Sequence, residues 1–282
     1  MTMTGADFLK RLTYRPEVKA LAKALGLRKT LRDLYFRYAR PSSGIVQHQV
    51  RGATGRFHVR TPGELRNLDP AGRAQQEERI LELLVDNVRE GDVIFDVGAN
   101  VGLYTILLAK AVGHHGEVIA FEPNPESYRH LQDNLMLNAI RNVRTFPIAL
   151  GETNGDACLY RGPENGDASL VGPPGGKDFG RGVVEVAAGD SFRETKKLLM
   201  PRVVKIDVEG YEYHVLQGLR HTLAHSDCRL LCCEVHTQLL PKEISSGQIL
   251  RFIRSLGFSC TETYNRYDTF HLLAWKAVFC PH

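Results

Sequence analysis

The chain has 282 residues, 43% of them hydrophobic and 24% charged, which is the composition of an ordinary globular protein. No stretch reaches the roughly 18 consecutive apolar residues of a membrane-spanning helix, and the N-terminus lacks the apolar core of a signal peptide. We therefore expect a cytoplasmic protein. The six cysteines form no CxxC pair, which disfavours a cysteine metal site.

The net charge of +4 is concentrated in the N-terminal part of the chain. Residues 1–60 contain thirteen Lys or Arg against three acidic residues, a balance of +10. Within residues 1–44, apolar residues such as Leu21, Leu31 and Leu34 recur at helical spacing, which predicts short helices with basic outer faces. We expect their apolar sides to pack on the main domain or on a second copy. Contact with an anionic membrane or an anionic carrier-linked substrate is the alternative, and nucleic acid is less favoured.

The remaining elements alternate between strands and helices. Residues 45–73 are predicted to form a β-hairpin and a linker, and residues 74–282 a single α/β domain that starts with a helix ending before Gly91. Strands are predicted at 93–97, 117–123, 143–150, 202–208 and 229–236, and helices at 102–112, 125–138, 211–224 and 245–256. This alternation indicates a mostly parallel sheet covered by helices on both faces, with an antiparallel pair at the C-terminal end. The Gly- and Pro-rich residues 161–182 are predicted to form a loop or lid over the carboxyl ends of the strands.

The first of these strands ends in FDVGANVG, a glycine turn that restricts the kind of ligand it can hold. Asp96 is followed by a G-x-x-x-G pattern in which Asn100 stands where a nicotinamide fingerprint has its second glycine. Gly98 is expected to allow the tight turn, Gly102 to allow a close approach to ligand, and Asp96 to face a positive amino group. Glu122, at the end of the next strand, is placed to accept hydrogen bonds from both hydroxyls of a ribose. An amino-bearing nucleoside without a pyrophosphate describes S-adenosylmethionine.

Five segments in chain order carry a family resemblance: FDVGANVGLYT, AFEPNPESY, FPIALGE, ASL and VVKIDVEGYEYHVLQG. They resemble the FkbM family of class I S-adenosylmethionine-dependent O-methyltransferases, over about residues 74–275, and KIDVEGYE is the most specific of them. The resemblance implies a seven-stranded Rossmann-like fold and methyl transfer to a hydroxyl of a sugar, a glycolipid or another natural product. It places the family's functional residues at Asp96, Gly98, Asn100, Gly102, Glu122, Lys205, Asp207, Glu209 and Gly210. The basic N-terminal segment lies outside it.

Two residue sets follow for the site. The predicted cofactor-binding residues are Asp96, Gly98, Ala99, Asn100, Gly102, Tyr104, Glu122, Pro123, Asn124, Ala149 and Asp207. The predicted catalytic residues, at the ends of the fourth and fifth strands, are Lys205, Asp207, Glu209, Glu234 and His236. Alternation along a strand places Lys205 and Asp207 on one face, and likewise Glu234 and His236.

Methylation of an alcohol requires a group that takes up its proton or lowers its pKa. His236 is the leading candidate for a general base, because an imidazole titrates near neutral pH. In the alternative mechanism, Asp207, Glu209, Glu234 and His236 hold Mg²⁺ or Mn²⁺, which acidifies a bound diol.

Three other functions fit the sequence less well. A nucleic-acid methyltransferase would explain the basic N-terminal segment, but the Asn-Pro-Pro-aromatic motif used for amino methylation of bases is absent. A dehydrogenase would need the middle glycine of the nicotinamide fingerprint, where this sequence has Asn100. A non-catalytic nucleoside-binding module would keep the glycine turn and Glu122 without the chemistry.

Overall fold

The computed structural model describes residues 24–69, 75–162, 168–172, 180–266 and 269–276. The N-terminal part contains helix α1 (Arg28–Ala39), the antiparallel hairpin β1 (Ile45–Val50) and β2 (Ala53–His58), and helices α2 (Pro62–Leu68) and α3 (Gln75–Asn87). Helix α2 begins with a capping box, in which the Thr61 side chain accepts from the Glu64 N–H and the Glu64 carboxylate accepts from the Thr61 N–H. The predicted hairpin is therefore confirmed, as is the helix before Gly91. Residues 1–23 of the predicted basic segment lie outside the described residues.

The central sheet has seven strands and is mostly parallel. Its elements along the chain are β3 (Val93–Val97), α4 (Leu103–Ala111), β4 (Glu117–Phe121), α5 (Pro125–Leu137), β5 (Val143–Phe146), β10 (Val203–Ile206), α7 (Glu212–Gly218), α8 (Arg220–Ala224), β11 (Leu230–His236), α9 (Ser246–Ser255), β12 (Phe258–Arg266) and β13 (Thr269–Lys276). The strand order is β12-β13-β11-β10-β3-β4-β5. Strands β3, β4, β5, β10 and β11 are parallel, whereas β13 is antiparallel to both β11 and β12. The predicted Rossmann-like sheet and its antiparallel edge pair are confirmed.

A second sheet, which the sequence did not predict, stands beside the carboxyl edge of the first. It contains β6 (Ala149–Gly151), β7 (Gly155–Arg161), β8 (Ala168–Ser169) and β9 (Arg181–Ala188), in the order β6-β9-β7-β8, with helix α6 (Gly189–Thr195) following β9. The predicted strand 143–150 was wrong as one element, because it divides near Pro147, which has no N–H to donate to a sheet. The predicted loop 161–182 contributes β8, and its residues 163–167 and 173–179 lie outside the described residues.

The predicted helix 211–224 is two helices, α7 and α8, that meet at Leu219. The Asp190 carboxylate accepts hydrogen bonds from the backbone N–H groups of His221 and Thr222, at 2.7 and 2.8 Å, and so caps the start of α8. Gly218 packs so closely that a Cβ there would lie 1.7 Å from the carbonyl oxygen of Gly151. The break in the helix is therefore set by tertiary contacts that helical periodicity does not encode.

Apolar side chains cover both faces of the central sheet. One cluster joins the hairpin to helices α3, α4 and α5, with Phe57, Leu84 and Ile106 fully buried in it. The other cluster packs α7, α8 and α9 against the opposite face. Strand β2 is also tied to α5, because the Asn134 and Asn138 side chains accept from its backbone N–H groups at 2.9 and 2.8 Å. The hairpin and the sheet thus share one core. Among the described helices, none is long and apolar enough to cross a membrane.

Candidate active site

The glycine turn after β3 packs directly against the chain segment that follows β10. Gly98 has a φ of +81°, and a Cβ on it would lie 1.8 Å from the carbonyl oxygen of Asp207. Only glycine allows both this backbone conformation and this approach. The contact brings the FDVGANVG turn and the KIDVEG segment, which are more than a hundred residues apart in the sequence, to one edge of the sheet.

Glu122 organises the turn from the end of β4. Its two carboxylate oxygens accept hydrogen bonds from the backbone N–H groups of Asn100 and Asn124, at 2.7 and 2.8 Å. The side chain is almost fully buried. Burial raises the pKa of Glu122 to about 7, against the opposing effect of the two N–H donors. The carboxylate keeps lone pairs beyond those two bonds, so it can still accept from a ligand hydroxyl.

A cleft of about 70 Å³ opens at this carboxyl edge, which is where open α/β sheets bind their ligands. Apolar side chains of Phe121, Ile148 and Leu150 form part of its wall, while Ala168 and Leu170 bring the β8 segment to it. The predicted cofactor residues that line the cleft are Gly98, Asn100, Glu122, Pro123, Ala149 and Asp207. The predicted cofactor residues outside its lining are Asp96, Ala99, Gly102, Tyr104 and Asn124.

Two of the residues outside the lining have structural roles that differ from the prediction. Gly102 has a φ of +93°, and its close approach is to α5 rather than to the cleft, since a Cβ there would lie 2.5 Å from a methyl carbon of Leu131. Asn124 is buried, and its side chain accepts from the Glu126 N–H at the start of α5. Gly102 and Asn124 thus stabilise the starts of helices α4 and α5, which pack on each other on the side of the turn away from the cleft.

Asp96 also departs from the expected contact with a ligand amino group. The side chain is fully buried behind the turn, where its Oδ2 accepts from the Thr105 hydroxyl at 2.6 Å. Its Oδ1 lies 3.4 Å from the Lys205 ammonium, an ion contact without hydrogen-bond geometry. Its charge is therefore compensated within the protein.

Lys205 links the two motifs. Its Nζ donates to the carbonyl oxygen of Gly98 at 3.0 Å, lies 3.3 Å from Asp207 Oδ2, and stands over the Tyr104 ring at 4.9 Å. Burial acts to lower the pKa of Lys205, but the carboxylates of Asp207 and Asp96 outweigh it and the pKa is raised. The ammonium therefore stays charged, which suits a positioning role and excludes a general base. The predicted same-face pairing of Lys205 and Asp207 is confirmed.

A cluster of acids surrounds His236 at the end of β11. Its Nδ1 lies 2.8 Å from Glu212 Oε1, and its Nε2 lies 3.3 Å from Glu209 Oε2 and 3.6 Å from Glu234 Oε1. Glu234 makes a further contact, 2.9 Å from Nε2 of His271 on the neighbouring strand. The predicted same-face pairing of Glu234 and His236 is therefore confirmed.

His236 was predicted to be the general base because an imidazole ordinarily titrates near neutral pH, and its surroundings in the structure contradict that reason. Burial acts to lower its pKa, but the hydrogen bond to Glu212 and the carboxylates of Glu209 and Asp207 raise the pKa to about 10. At neutral pH the ring is thus an imidazolium, which has no lone pair to accept a proton. The same cation, together with Lys205, keeps the pKa of Asp207 lowered although burial opposes this.

Sequence reasoning missed two members of this cluster. Glu212 is fully buried and accepts from the Gly210 N–H at 2.8 Å as well as facing His236. It is the last letter of KIDVEGYE, so the motif itself contained the signal. His271 is also buried, but only the register of β13 against β11 identifies it as the partner of Glu234.

Three of the four predicted metal ligands come together. One ligand atom each from Asp207, Glu209 and His236 lies within 4.8 Å of the others, a spacing that one divalent cation can bridge. The side chains of Asp207 and Glu209 are 28% and 38% exposed and line the cleft. Glu234 instead pairs with His271. The residues present therefore fit a hard divalent cation, and its presence stays a prediction.

The described part of the 161–182 segment reaches this cluster. The Ser169 hydroxyl donates to the carbonyl oxygen of Glu209, a residue with a φ of +52°. The neighbouring Gly210 has a φ of +100°, and a Cβ there would lie 2.7 Å from Leu239. Strand β8 thus contacts the loop that presents Glu209 to the cleft.

The chain is similar to known methyltransferases. The sequence model described as the methyltransferase FkbM domain matches residues 96–260. The hexuronic acid methyltransferase AglP of Haloferax volcanii is 29% identical, with 70% of this chain and 77% of that protein covered. Methyltransferase 1 of Beauveria bassiana is 23% identical, with 54% and 70% covered. The methyltransferase FkbM structure from Methylobacillus flagellatus superposes with a TM-score of 0.48 at 12% identity, covering 96% of this chain and 58% of that one.

Proposed function

The chain belongs to the FkbM methyltransferase family, and we propose that it transfers the methyl group of S-adenosylmethionine to a hydroxyl of a sugar-containing acceptor. One observation carries the proposal: Glu122 at one end and Asp207 and Glu209 at the other line a single cleft, with the Gly98 turn between them. A nucleoside-binding acid and an acceptor-activating group are the two parts that such a reaction needs.

The residues at the Glu122 end fit the cofactor. The Glu122 carboxylate would accept from the ribose hydroxyls, and the apolar side chains of Phe121, Ile148 and Leu150 would contact the adenine. Asn100 Oδ1 is buried without a hydrogen-bond partner in the described structure, and a ligand N–H would satisfy it. When bound, S-adenosylmethionine supplies an electrophilic methyl group whose leaving group is already activated.

The protein's own contribution is to align the hydroxyl and take up its proton. We assign proton uptake to the carboxylate of Glu209, because that side chain lines the cleft and is partly exposed. As the new C–O bond forms, the hydroxyl becomes strongly acidic, so a carboxylate is basic enough to accept its proton. The His236 imidazolium, 3.3 Å away, then orients Glu209, and Glu212 holds the ring.

The charge of the cluster favours a hydroxyl over a carboxylate as the group that is methylated. Asp207, Glu209, Glu212 and Glu234 outnumber the nearby cations Lys205 and His236. An acceptor carboxylate placed among these acids would be repelled, whereas a neutral hydroxyl can donate to one of them. The relative from Haloferax volcanii, named for methylation of a hexuronic acid, supports a sugar acceptor.

A divalent cation is the second way in which the same residues would activate a hydroxyl. Asp207, Glu209 and His236 would hold Mg²⁺ or Mn²⁺, with His236 releasing its imidazolium proton to become a neutral ligand and Glu212 fixing the ring through Nδ1. The cation would supply Lewis acidity. Chelator decides between the mechanisms: full activity in EDTA removes the cation, whereas a loss that added Mn²⁺ reverses supports it.

The cofactor assignment is tested by calorimetric titration with S-adenosylhomocysteine. At about pH 8, where the Glu122 carboxylate is mostly ionised, we expect Glu122→Gln to weaken binding by about 10- to 100-fold, because a charged acceptor for the ribose hydroxyls is lost. Glu209→Gln should bind normally and lose methyl transfer. The exposed Glu185, on β9, provides the matched control Glu185→Gln. Normal binding by Glu122→Gln would contradict the proposed orientation of the cofactor.

A further inference from the structure

Exposed hydrophobic side chains are concentrated at the N-terminal end of the described chain. Seven large hydrophobic residues are exposed among the described residues, and four of them lie within residues 25–38. These four are Leu25, Leu27, Leu34 and Tyr38, with exposed fractions of 43% to 60%. Single exposed apolar residues are normal on protein surfaces, but a concentration of this kind marks an interaction surface.

Helix α1 and Leu27, the residue just before it, place three of them in one row. Leu27, Leu34 and Tyr38 are separated by seven and four residues, which aligns them along one side of a helix. We call these three residues the outer stripe. The opposite side of α1 is already used, because Tyr35, Phe36 and Ala39 pack on the core that joins the hairpin to the sheet. The outer stripe therefore faces away from the protein body.

The segment that carries the outer stripe is rich in basic residues. Residues 24–40 contain five Lys or Arg against one acidic residue, Asp33, which gives a balance of +4. Arg37 and Arg40 are exposed at the C-terminal end of the same helix. An apolar row beside basic residues is the pattern of a helix that lies in the interface of an anionic lipid bilayer.

Charge also decides against the other occupants of the stripe. In a symmetric dimer built on α1, two copies of the +4 segment would face each other and repel. A nucleic acid would satisfy the charge, but it offers no apolar phase for Leu27, Leu34 and Tyr38. An anionic membrane surface satisfies both features. We propose that the outer stripe of α1 docks this enzyme on the surface of an anionic lipid bilayer.

Co-sedimentation of the full chain with vesicles tests this proposal. The probes are vesicles of phosphatidylcholine alone and of phosphatidylcholine with one-third phosphatidylglycerol. We expect binding to the anionic vesicles to exceed binding to the neutral ones by at least about tenfold, because each basic residue near an anionic surface favours binding about fivefold. Equal binding to both vesicles, or binding to neither, would overturn the proposal.

Point variants on the full chain locate the surface. Leu34→Glu combined with Tyr38→Glu should lower binding by at least about tenfold, because two apolar contacts become charged. Arg37→Gln combined with Arg40→Gln should lower it by about 25-fold. Leu199→Glu is the matched control, since Leu199 is 59% exposed, as is Tyr38, but lies before β10. All variants should keep the wild-type melting temperature.

Three results would refute the docking surface. Wild-type binding by the Leu34→Glu/Tyr38→Glu variant would show that the stripe is not the contact. An equal loss in Leu199→Glu would show a general effect of added negative charge. A stable wild-type dimer in light scattering that Leu34→Glu converts to a monomer would assign the stripe to a second copy. None of these results depends on methyl transfer.

Discussion

Replacing Glu122 with Gln should change how the stability of the ligand-free protein depends on pH. In the folded protein, burial raises the pKa of Glu122 from 4.5 to about 7. The folded state therefore keeps a proton that the unfolded state releases near its ordinary pKa. The stabilisation from this group is fully present below about pH 4.5 and is lost as the pH rises to about 7. That rise in pKa corresponds to about 3 kcal/mol.

The measurement is urea unfolding of wild type and Glu122→Gln at about pH 5 and about pH 8. Between these two values, wild type should lose about 2–3 kcal/mol from this carboxyl group that the variant does not lose. The variant also disturbs the hydrogen bonds from Asn100 and Asn124, but this cost is the same at both pH values and cancels in the comparison. Glu185→Gln, at an exposed position, should follow wild type. Parallel pH profiles for wild type and Glu122→Gln would contradict a raised pKa of Glu122 in the folded protein.

Three further substitutions probe the framework of the site. Gly98→Ala should abolish folding or lower S-adenosylhomocysteine affinity more than about 100-fold, because its Cβ would lie 1.8 Å from a carbonyl oxygen. Gly155→Ala, at a position with open space around it, is the control. Unchanged affinity in Gly98→Ala would contradict the close contact between Gly98 and Asp207. Lys205→Met should lower the free energy of unfolding by about 3–5 kcal/mol in urea, because it leaves the Asp96 carboxylate buried and uncompensated. Asp96→Asn in the same chain should restore most of the lost stability. No recovery in the double variant would contradict the ion contact between Lys205 and Asp96. Glu212→Gln should lower kcat by about 10- to 100-fold at unchanged cofactor affinity, because Glu212 orients His236; an unchanged kcat would remove that role.

The sequence predicted the fold best where local hydrophobic periodicity and glycine placement determine the structure. The apolar run before Asp96, the turn at Gly98 and the helix after it were all predicted, because local periodicity and glycine placement determine them. The second sheet was missed because its strands combine exposed and half-buried residues, as in β7, and because it joins segments on both sides of a Gly- and Pro-rich stretch. Pairing of that kind depends on distant partners.

The site shows the same division. Glu122, Asp207 and Glu209 could be assigned to the cleft because each ends a predicted strand or follows one. The charge of His236 could not be predicted, since it depends on the carboxylates of Asp207, Glu209 and Glu212, which only the folded sheet brings next to the end of β11. Asp96 was expected to face a ligand, and only the tertiary structure shows that Lys205 and Thr105 occupy its carboxylate instead.

We propose above that the enzyme transfers a methyl group from S-adenosylmethionine to a sugar hydroxyl. The most direct measurement is incubation of the protein with S-adenosylmethionine carrying a ¹³C-labelled methyl group and a panel of neutral and uronic-acid-containing glycans, followed by carbon NMR of the products. We predict a labelled methyl ether that survives mild alkali and is absent with Glu209→Gln. A labelled methyl ester that alkali removes, or label on nitrogen, would contradict it.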